Sequence, residues 1–472
     1  MSSNSMNTGK NEERVLWFLL GALILCHVLY FNQSLPHMVP NPAGRSDEVD
    51  YFTDAKSFCL SGSINGTVSL DENVSKIGEC GAHGFAYALF YGTIGKILRG
   101  SDLMLPLGNL ASLLLVLFYL YWQPFSTFSK NSISVLVLSY FITVIFLQAF
   151  MVEVLNISIA LFLSLYLFRL VQSDEKDRSR RSWFFLIFIL LAASFRFTFI
   201  FFLLGLLPLA TDRKAFAKYV AMFILSSLYA MFFINNFIAP FGFHPDSATY
   251  LLLHGGDDKF TLATTQIIKN IKSYFHHDPL SPEYHYQYKY VLVILPLLQA
   301  HFYARTREKI YLIPLFISAV YLVFIGVLNN NVYDLNDLRP LSAVFVLNVV
   351  FFVLSKNNAV SYTLITLAVL SFPAIHEQVE NNANYGIKPR LKCWEYYSEK
   401  RKGKNIYDTI AEYKSDKSII TVQLPDRMSL MDDLYLMPLI SRQDKPIRYN
   451  FTYFKPAPEK SSFITHTFMI NK

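Results

Sequence analysis

Apolar residues run along this chain in long unbroken stretches, and polar residues collect in the gaps between them. A helix that crosses a bilayer needs roughly 20 mostly apolar residues, within about 17–25. On that measure the stretches predict helices at 15–32, 103–122, 132–150, 154–171, 183–196, 197–210, 216–235, 290–304, 309–328, 340–355 and 358–375. The 183–210 stretch is long for one helix and short for two, and Arg196 sits at its middle. The predicted fold class is a polytopic α-helical membrane protein with about eleven transmembrane helices. After residue 375 the pattern changes abruptly, as Lys, Glu, Asp and Asn return. Residues 418–424 read as a strand between Lys417 and Pro425, so 376–472 is expected to form a small α/β or α+β domain.

Basic residues in short loops tend to remain cytoplasmic. With the N-terminus inside, the inner loops hold Lys130, then Lys176, Arg178, Arg180 and Arg181, then Arg213, Lys214 and Lys218, then Arg305, Arg307 and Lys309, then Lys356. The short outer loops hold no basic residue at 151–156 and only Arg339 at 329–339. An odd helix count then leaves the C-terminus outside, together with loops 33–102 and 236–289. The membrane domain is thus 1–375, with two large outer loops, and the outer domain is 376–472. Residues 15–32 are expected to be a first helix and not a cleaved signal, since no small-x-small site follows.

Composition agrees with this reading. Charged residues make up 16% of the 472, well below the usual quarter of a soluble domain, which excludes an ordinary soluble enzyme. The net charge of +7 does not mark a nucleic-acid binder, because its cations are spread over short inter-helix loops. P-loop, HExxH and GxSxG patterns are absent. Of the four cysteines, Cys59 and Cys80 share loop 33–102, and a disulfide between them in an oxidising compartment would close a loop of about 20 residues.

Ionisable residues at a membrane edge are costly, so they are candidates for function. In the first outer loop Asp47, Asp50, Tyr51 and Asp54 share a helical face with Glu48 beside them. Such a cluster can supply a general base or bind a divalent cation; composition alone favours a solvated acidic face. The segment 80–100 is apolar and aromatic, and reads as a helix lying in the interface or as a short spanning helix. Glu153 stands in an otherwise apolar outer loop, either used in chemistry or placed in the first turn of the next helix. Arg339 suits a bidentate phosphate contact or a salt bridge to Asp334 or Asp337, and Arg196 suits a phosphate contact or a partner within the bundle.

Taken together these residues resemble the GT-C superfamily of polytopic glycosyltransferases, which includes protein O-mannosyltransferases and the lipid A aminoarabinose transferases. The family pattern Asp-Glu-x-x-Tyr-x-x-x-Ala, on a juxtamembrane helix of the first outer loop, is matched by Asp47-Glu48-x-x-Tyr51-x-x-x-Ala55. A second juxtamembrane helix begins with His-Pro-Pro-Leu in the family; His83-Gly84-Phe85-Ala86-Tyr87 stands there without the prolines. Glu153 takes the place of a later acid that is usually Asp, and Asp337-Leu338-Arg339-Pro340-Leu341 is similar to a late outer loop with Arg.

The resemblance implies an inverting transferase in a bacterial inner membrane, using a polyprenyl-phosphate sugar donor. The acceptor would be a hydroxyl of a glycan or lipid-glycan, such as O-antigen or another surface glycan, with membrane lipids as its surroundings. Asp47 would be the general base, with Glu48 or Glu153 positioning the acceptor or a cation. Asp50 and Tyr51 would lie along the substrate, and His83, Arg196 and Arg339 at the phosphate. No resident cofactor is implied beyond the divalent cation already named. The alternatives are a polymerase or ligase of lipid-linked glycans, which leans on outer Arg and His residues, and a non-enzymatic transporter.

Overall fold

The computed structural model describes residues 3–34, 46–62, 68–69, 84–237, 247–276, 283–329, 338–381, 419–424, 448–453 and 464–469. The helical part runs α1 (Ser3–Ser34), α2 (Ser46–Ser61), α3 (Phe85–Ile97), α4 (Met104–Trp122), α5 (Thr127–Leu138), α6 (Phe141–Phe146), α7 (Glu153–Gln172) and α8 (Glu175–Phe195). A 3-10 helix, Phe197–Leu209, follows. Then come α9 (Arg213–Phe237), α10 (Ala248–His254), α11 (Lys259–Phe275), α12 (Glu283–Thr306) and α13 (Lys309–Tyr321), which continues as a π-helix to Asn329. A short turn at Arg339–Leu341 leads into α14 (Ser342–Leu354), and α15 (Asn358–Asn381) closes the bundle.

Among the described residues six helices are long and apolar enough to cross a membrane: Glu12–Gln33, Met104–Trp122, Glu153–Gln172, Arg213–Phe232, Lys309–Asn329 and Asn358–Glu377. Phe197–Leu209 and Arg339–Leu354 are apolar but shorter. This is a multi-helix protein whose long apolar helices suit a multi-pass membrane protein. Its outer surface agrees, since large apolar side chains such as Phe18, Leu115, Phe118, Leu191 and Leu225 are exposed, and contiguous apolar surface of that kind marks a membrane contact.

Several predicted boundaries shift for local reasons. The stretch 132–150 is not one helix. It breaks after Leu138, where the Ser139 hydroxyl donates to the Val135 carbonyl at 2.7 Å and Tyr140 turns extended. Serine back-bonding of this type competes with the helical ladder. The helix expected from 183 starts at 175 instead, because the Asp174 side chain accepts from the Asp177 amide at 2.9 Å and caps it. The run from 183 to 210 divides at Arg196, whose backbone is extended. Its second half winds as a 3-10 helix.

The interior is built on α7 and α14, whose side chains are buried nearly throughout. Inside lipid, close packing replaces water exclusion as the force that joins helices. Tyr140, for instance, stacks on Phe345 with ring centroids 4.2 Å apart.

Helices α2 and α3 pack in parallel register, with Tyr51 against Tyr87, Ala55 against Gly92, and Cys59 against Gly95. The approach is close enough that a Cβ on Gly92 would lie 2.6 Å from the Ala55 carbonyl oxygen, and one on Gly95 2.8 Å from the Met104 sulfur. Gly92→Ala is therefore expected to lower stability by about 1–3 kcal/mol, because its obstacle is backbone. The check is thermal unfolding of the detergent-purified protein, and an unchanged midpoint would mean that the two helices can separate freely.

Among the described residues four strands form one sheet: β1 (Val68–Ser69), β2 (Ile419–Leu424), β3 (Arg448–Tyr453) and β4 (Ile464–Met469). Their order is β1-β3-β2-β4 and every pair is parallel. The strand expected at 418–424 is β2. β1 comes from the first large loop and pairs with β3 from the tail, Val68 opposite Tyr449.

Candidate functional site

One buried and two partly buried charged groups from distant parts of the chain meet where α7 begins. Glu153 is the first residue of α7 and only 2% exposed. Arg339 Nη1 donates to Glu153 Oε1 at 3.2 Å, and Arg196 Nη2 lies 3.7 Å from the same oxygen. Arg196 also approaches the Arg339 carbonyl at 3.5 Å. The helix N-terminus favours a carboxylate at this position. Both guanidiniums thus face the same carboxylate oxygen. Among the described residues the second carboxylate oxygen, Oε2, is buried and has no hydrogen-bond partner.

The sequence explains how this turn is held. Asn109 of α4 is fully buried and donates to the carbonyls of Phe146, Ala149 and Met151 at 3.3, 3.3 and 2.9 Å. Its own oxygen accepts from the Tyr91 hydroxyl of α3 at 2.7 Å. One side chain thus satisfies the irregular backbone between α6 and α7 and ties it to α3. That satisfaction matters because unpaired buried carbonyls are costly.

The same wall carries Tyr87 of α3, which donates to Asn156 Oδ1 at 2.9 Å. Burial pushes the Tyr87 hydroxyl up to about 12, against the opposing effect of the Arg196 guanidinium and the Asn156 contact. Tyr87 therefore remains a neutral donor at any physiological pH. Asn156, which heads an N-glycosylation-type triplet, is buried in α7 and so is closed to modification.

Helix α2 lies against this wall through Tyr51, whose ring meets that of Tyr87 edge-on at 5.3 Å. Glu48 is 1% exposed, so the acidic face of α2 is not wholly solvated. Lys56 anchors the far end of α2: its ammonium meets Asp102 at 2.7 Å and the Gly100 carbonyl, and the side chain is 3% exposed.

The structure thus brings Glu153, Arg196 and Arg339 together, with Tyr51 on the adjoining helix. Asp47 and Asp50 belong to α2, but their side chains lie outside the described residues. His83 and Cys80 lie outside them too, as do Asp334 and Asp337. Cys59 is a buried free thiol facing Gly95. Lys56 and Asn109 are parts of the arrangement that no motif pointed to, and Tyr87 and Asn156 lay in motifs that gave them no such role. The signal that could have found them is a polar residue inside an apolar run. Among the described residues no group of three or more His, Cys, Asp or Glu side chains is placed to hold a metal ion.

An apolar groove of about 410 Å³ opens beside the cluster, between α3, α4, α7 and α8. Phe90 and Phe195 form its upper wall, and Phe195 packs on Tyr87 at 5.3 Å. Ser112 and Ser158 face each other within it at 3.4 Å, and the exposed Leu115 and Leu191 line its mouth. The arrangement sets a buried carboxylate and two arginines beside an open apolar groove.

No protein-family model matches the chain, and no curated protein is significantly similar to it.

Proposed function

We propose that this protein is a GT-C-like membrane glycosyltransferase that moves a sugar from a polyprenyl-phosphate donor to a hydroxyl of a surface glycan or glycolipid. The observation that carries the reading is Arg196 and Arg339 converging on buried Glu153 at the head of an apolar groove. A ligand with an anionic head and a long apolar tail matches both halves. In this reading the bundle has eleven spans, with the N-terminus cytoplasmic and the tail, the α2–α3 pair and the cluster on the outer side of a bacterial inner membrane.

The chemistry follows from the charges. The acceptor oxygen attacks the anomeric carbon from the face opposite the phosphate, and the carbon–oxygen bond to phosphate breaks. Asp47 takes the acceptor proton, which requires hydrogen-bond reach. Polyprenyl phosphate leaves with an added charge, met by the guanidiniums of Arg339 and Arg196, which Glu153 holds in place. Donors fixed where charge develops need no reorganisation during reaction. Glu48 and Tyr51 shape the acceptor side, and the neutral Tyr87 hydroxyl holds Asn156 at the floor.

The test incubates purified protein with radiolabelled polyprenyl-phosphate sugars and a membrane glycan extract. Label should move to the extract. Failure with every donor, in an extract shown to contain acceptor glycans, would overturn the reading. The groove gives a second prediction: Ser158→Phe fills it and should raise KM for a long-chain donor roughly tenfold while sparing a donor with a short tail. Equal effects on both donors would remove the groove from the site.

A further inference from the structure

A second charged pocket lies at the other end of α7. The 20 residues of α7 rise about 30 Å, the thickness of a bilayer core, so this pocket stands one membrane thickness from Glu153. It is a cavity of about 270 Å³ between the first turns of α8 and α9 and the end of the 3-10 helix. Arg178 and Lys218 line it, and among the described residues neither has a carboxylate within ion-pair distance. Arg178 donates to the carbonyls of Leu170, Ser173 and Leu209 at 3.2, 2.6 and 3.3 Å. Lys218 donates to the Ser179 carbonyl, the Ser179 hydroxyl and the Ser182 hydroxyl at 3.0, 3.2 and 3.0 Å. Exposed Lys214 stands at the rim.

The carboxylates of the pocket hydrogen-bond to neighbouring residues of its wall. Glu175 accepts from the Thr211 hydroxyl at 2.7 Å, and Asp212 accepts from the Ala215 amide at 2.6 Å. Across segments 174–183 and 211–218 seven cations face four acids, so the surroundings stay positive. The Lys218 ammonium also lies 5.2 Å from the ring centre of Trp183, which is half exposed. Aromatic residues of that kind sit at headgroup depth. From Trp183 an exposed apolar stripe runs along α8 through Phe184 and Ile187. A cation pocket therefore opens directly onto a lipid-facing surface.

We propose that this pocket binds the phosphodiester of one anionic phospholipid, with its acyl chains lying along the exposed stripe of α8. Lys218 and Lys214 supply the charge, Arg178 holds the floor, and Trp183 marks the headgroup level. The site is independent of sugar transfer at Glu153. Basic pockets between membrane helices suit lipid headgroups of this class.

The test is native mass spectrometry of the full-length protein in detergent, titrated with phosphatidylglycerol, phosphatidylcholine or inorganic phosphate. The wild type should retain one phosphatidylglycerol at least fivefold more tightly than phosphatidylcholine, and Lys214→Gln/Lys218→Gln should weaken it roughly tenfold. Lys214→Gln alone removes only an exposed charge and should still cost roughly threefold, which protects the test if the double variant misfolds. Arg305→Gln, a basic change outside the pocket, should have no effect. Equal binding of the two lipids, full retention by the Lys214 and Lys218 variants, or an equal loss in Arg305→Gln would overturn the site. Binding of inorganic phosphate that competes fully with phosphatidylglycerol would make it a free-anion site and overturn the lipid assignment.

Discussion

Asp47→Asn is expected to lower sugar transfer by about 10²–10⁴-fold, the contribution of a positioned general base. The protein should elute and unfold as the wild type does. The substitution keeps the shape of the side chain and removes only its capacity to hold a proton. The partner experiment is Glu48→Gln. Glu48 is buried at 1% exposure on the same helix, so its replacement should disturb stability more than chemistry. If Glu48→Gln abolishes transfer in a fully folded protein while Asp47→Asn retains it, the two acids exchange roles. Turnover with saturating donor and acceptor separates the cases, because a positioning acid acts through the acceptor KM and a base acts through kcat.

The second large effect belongs to Glu153. Glu153→Gln should destabilise the protein by about 3 kcal/mol, since it removes a buried carboxylate that Arg196 and Arg339 share. Those arginines are 20% and 17% exposed, so some water reaches them and the cost stays at the lower end of the range for buried pairs. Arg339→Gln should cost less, because Arg196 still faces the carboxylate. The double variant should be more stable than the sum of the two single losses predicts, with a coupling of roughly 1–3 kcal/mol. A second readout distinguishes this from simple unfolding. Removing the carboxylate takes a negative charge from beside the two guanidiniums, so polyprenyl phosphate should inhibit Glu153→Gln more strongly than the wild type. Additive losses with unchanged product inhibition would mean that Glu153 does not govern the arginines.

The long apolar helices could be read from the chain because a run of hydrophobic residues has few other stable fates. α4, α7, α9 and α15 fall close to the expected positions for that reason. Arg339, Arg196 and Glu153 stood out individually, since each interrupts an apolar context. Their meeting did not, because residues 153, 196 and 339 are brought together only by packing. Sequence alone offered Asp334 or Asp337 as a partner of Arg339 by proximity along the chain, and both lie outside the described residues. The capping role of Asn109 was hidden for another reason. An Asn in an apolar run looks like a tolerated defect until the backbone it satisfies is seen. The break after Leu138 depends on one serine hydroxyl, which no hydropathy pattern registers.

The winding of residues 197–209 sets how far Arg196 can extend. A 3-10 helix rises about 2.0 Å per residue, so 13 residues cover about 26 Å, whereas an α-helix of the same length covers about 20 Å. Starting from the fixed end at Leu209, beside Arg178, α-helical winding would leave Arg196 roughly 6 Å short of Glu153. The tighter coil is therefore a length adapter: it lets a stretch too short for an ordinary crossing deliver a guanidinium to the far side of the bundle.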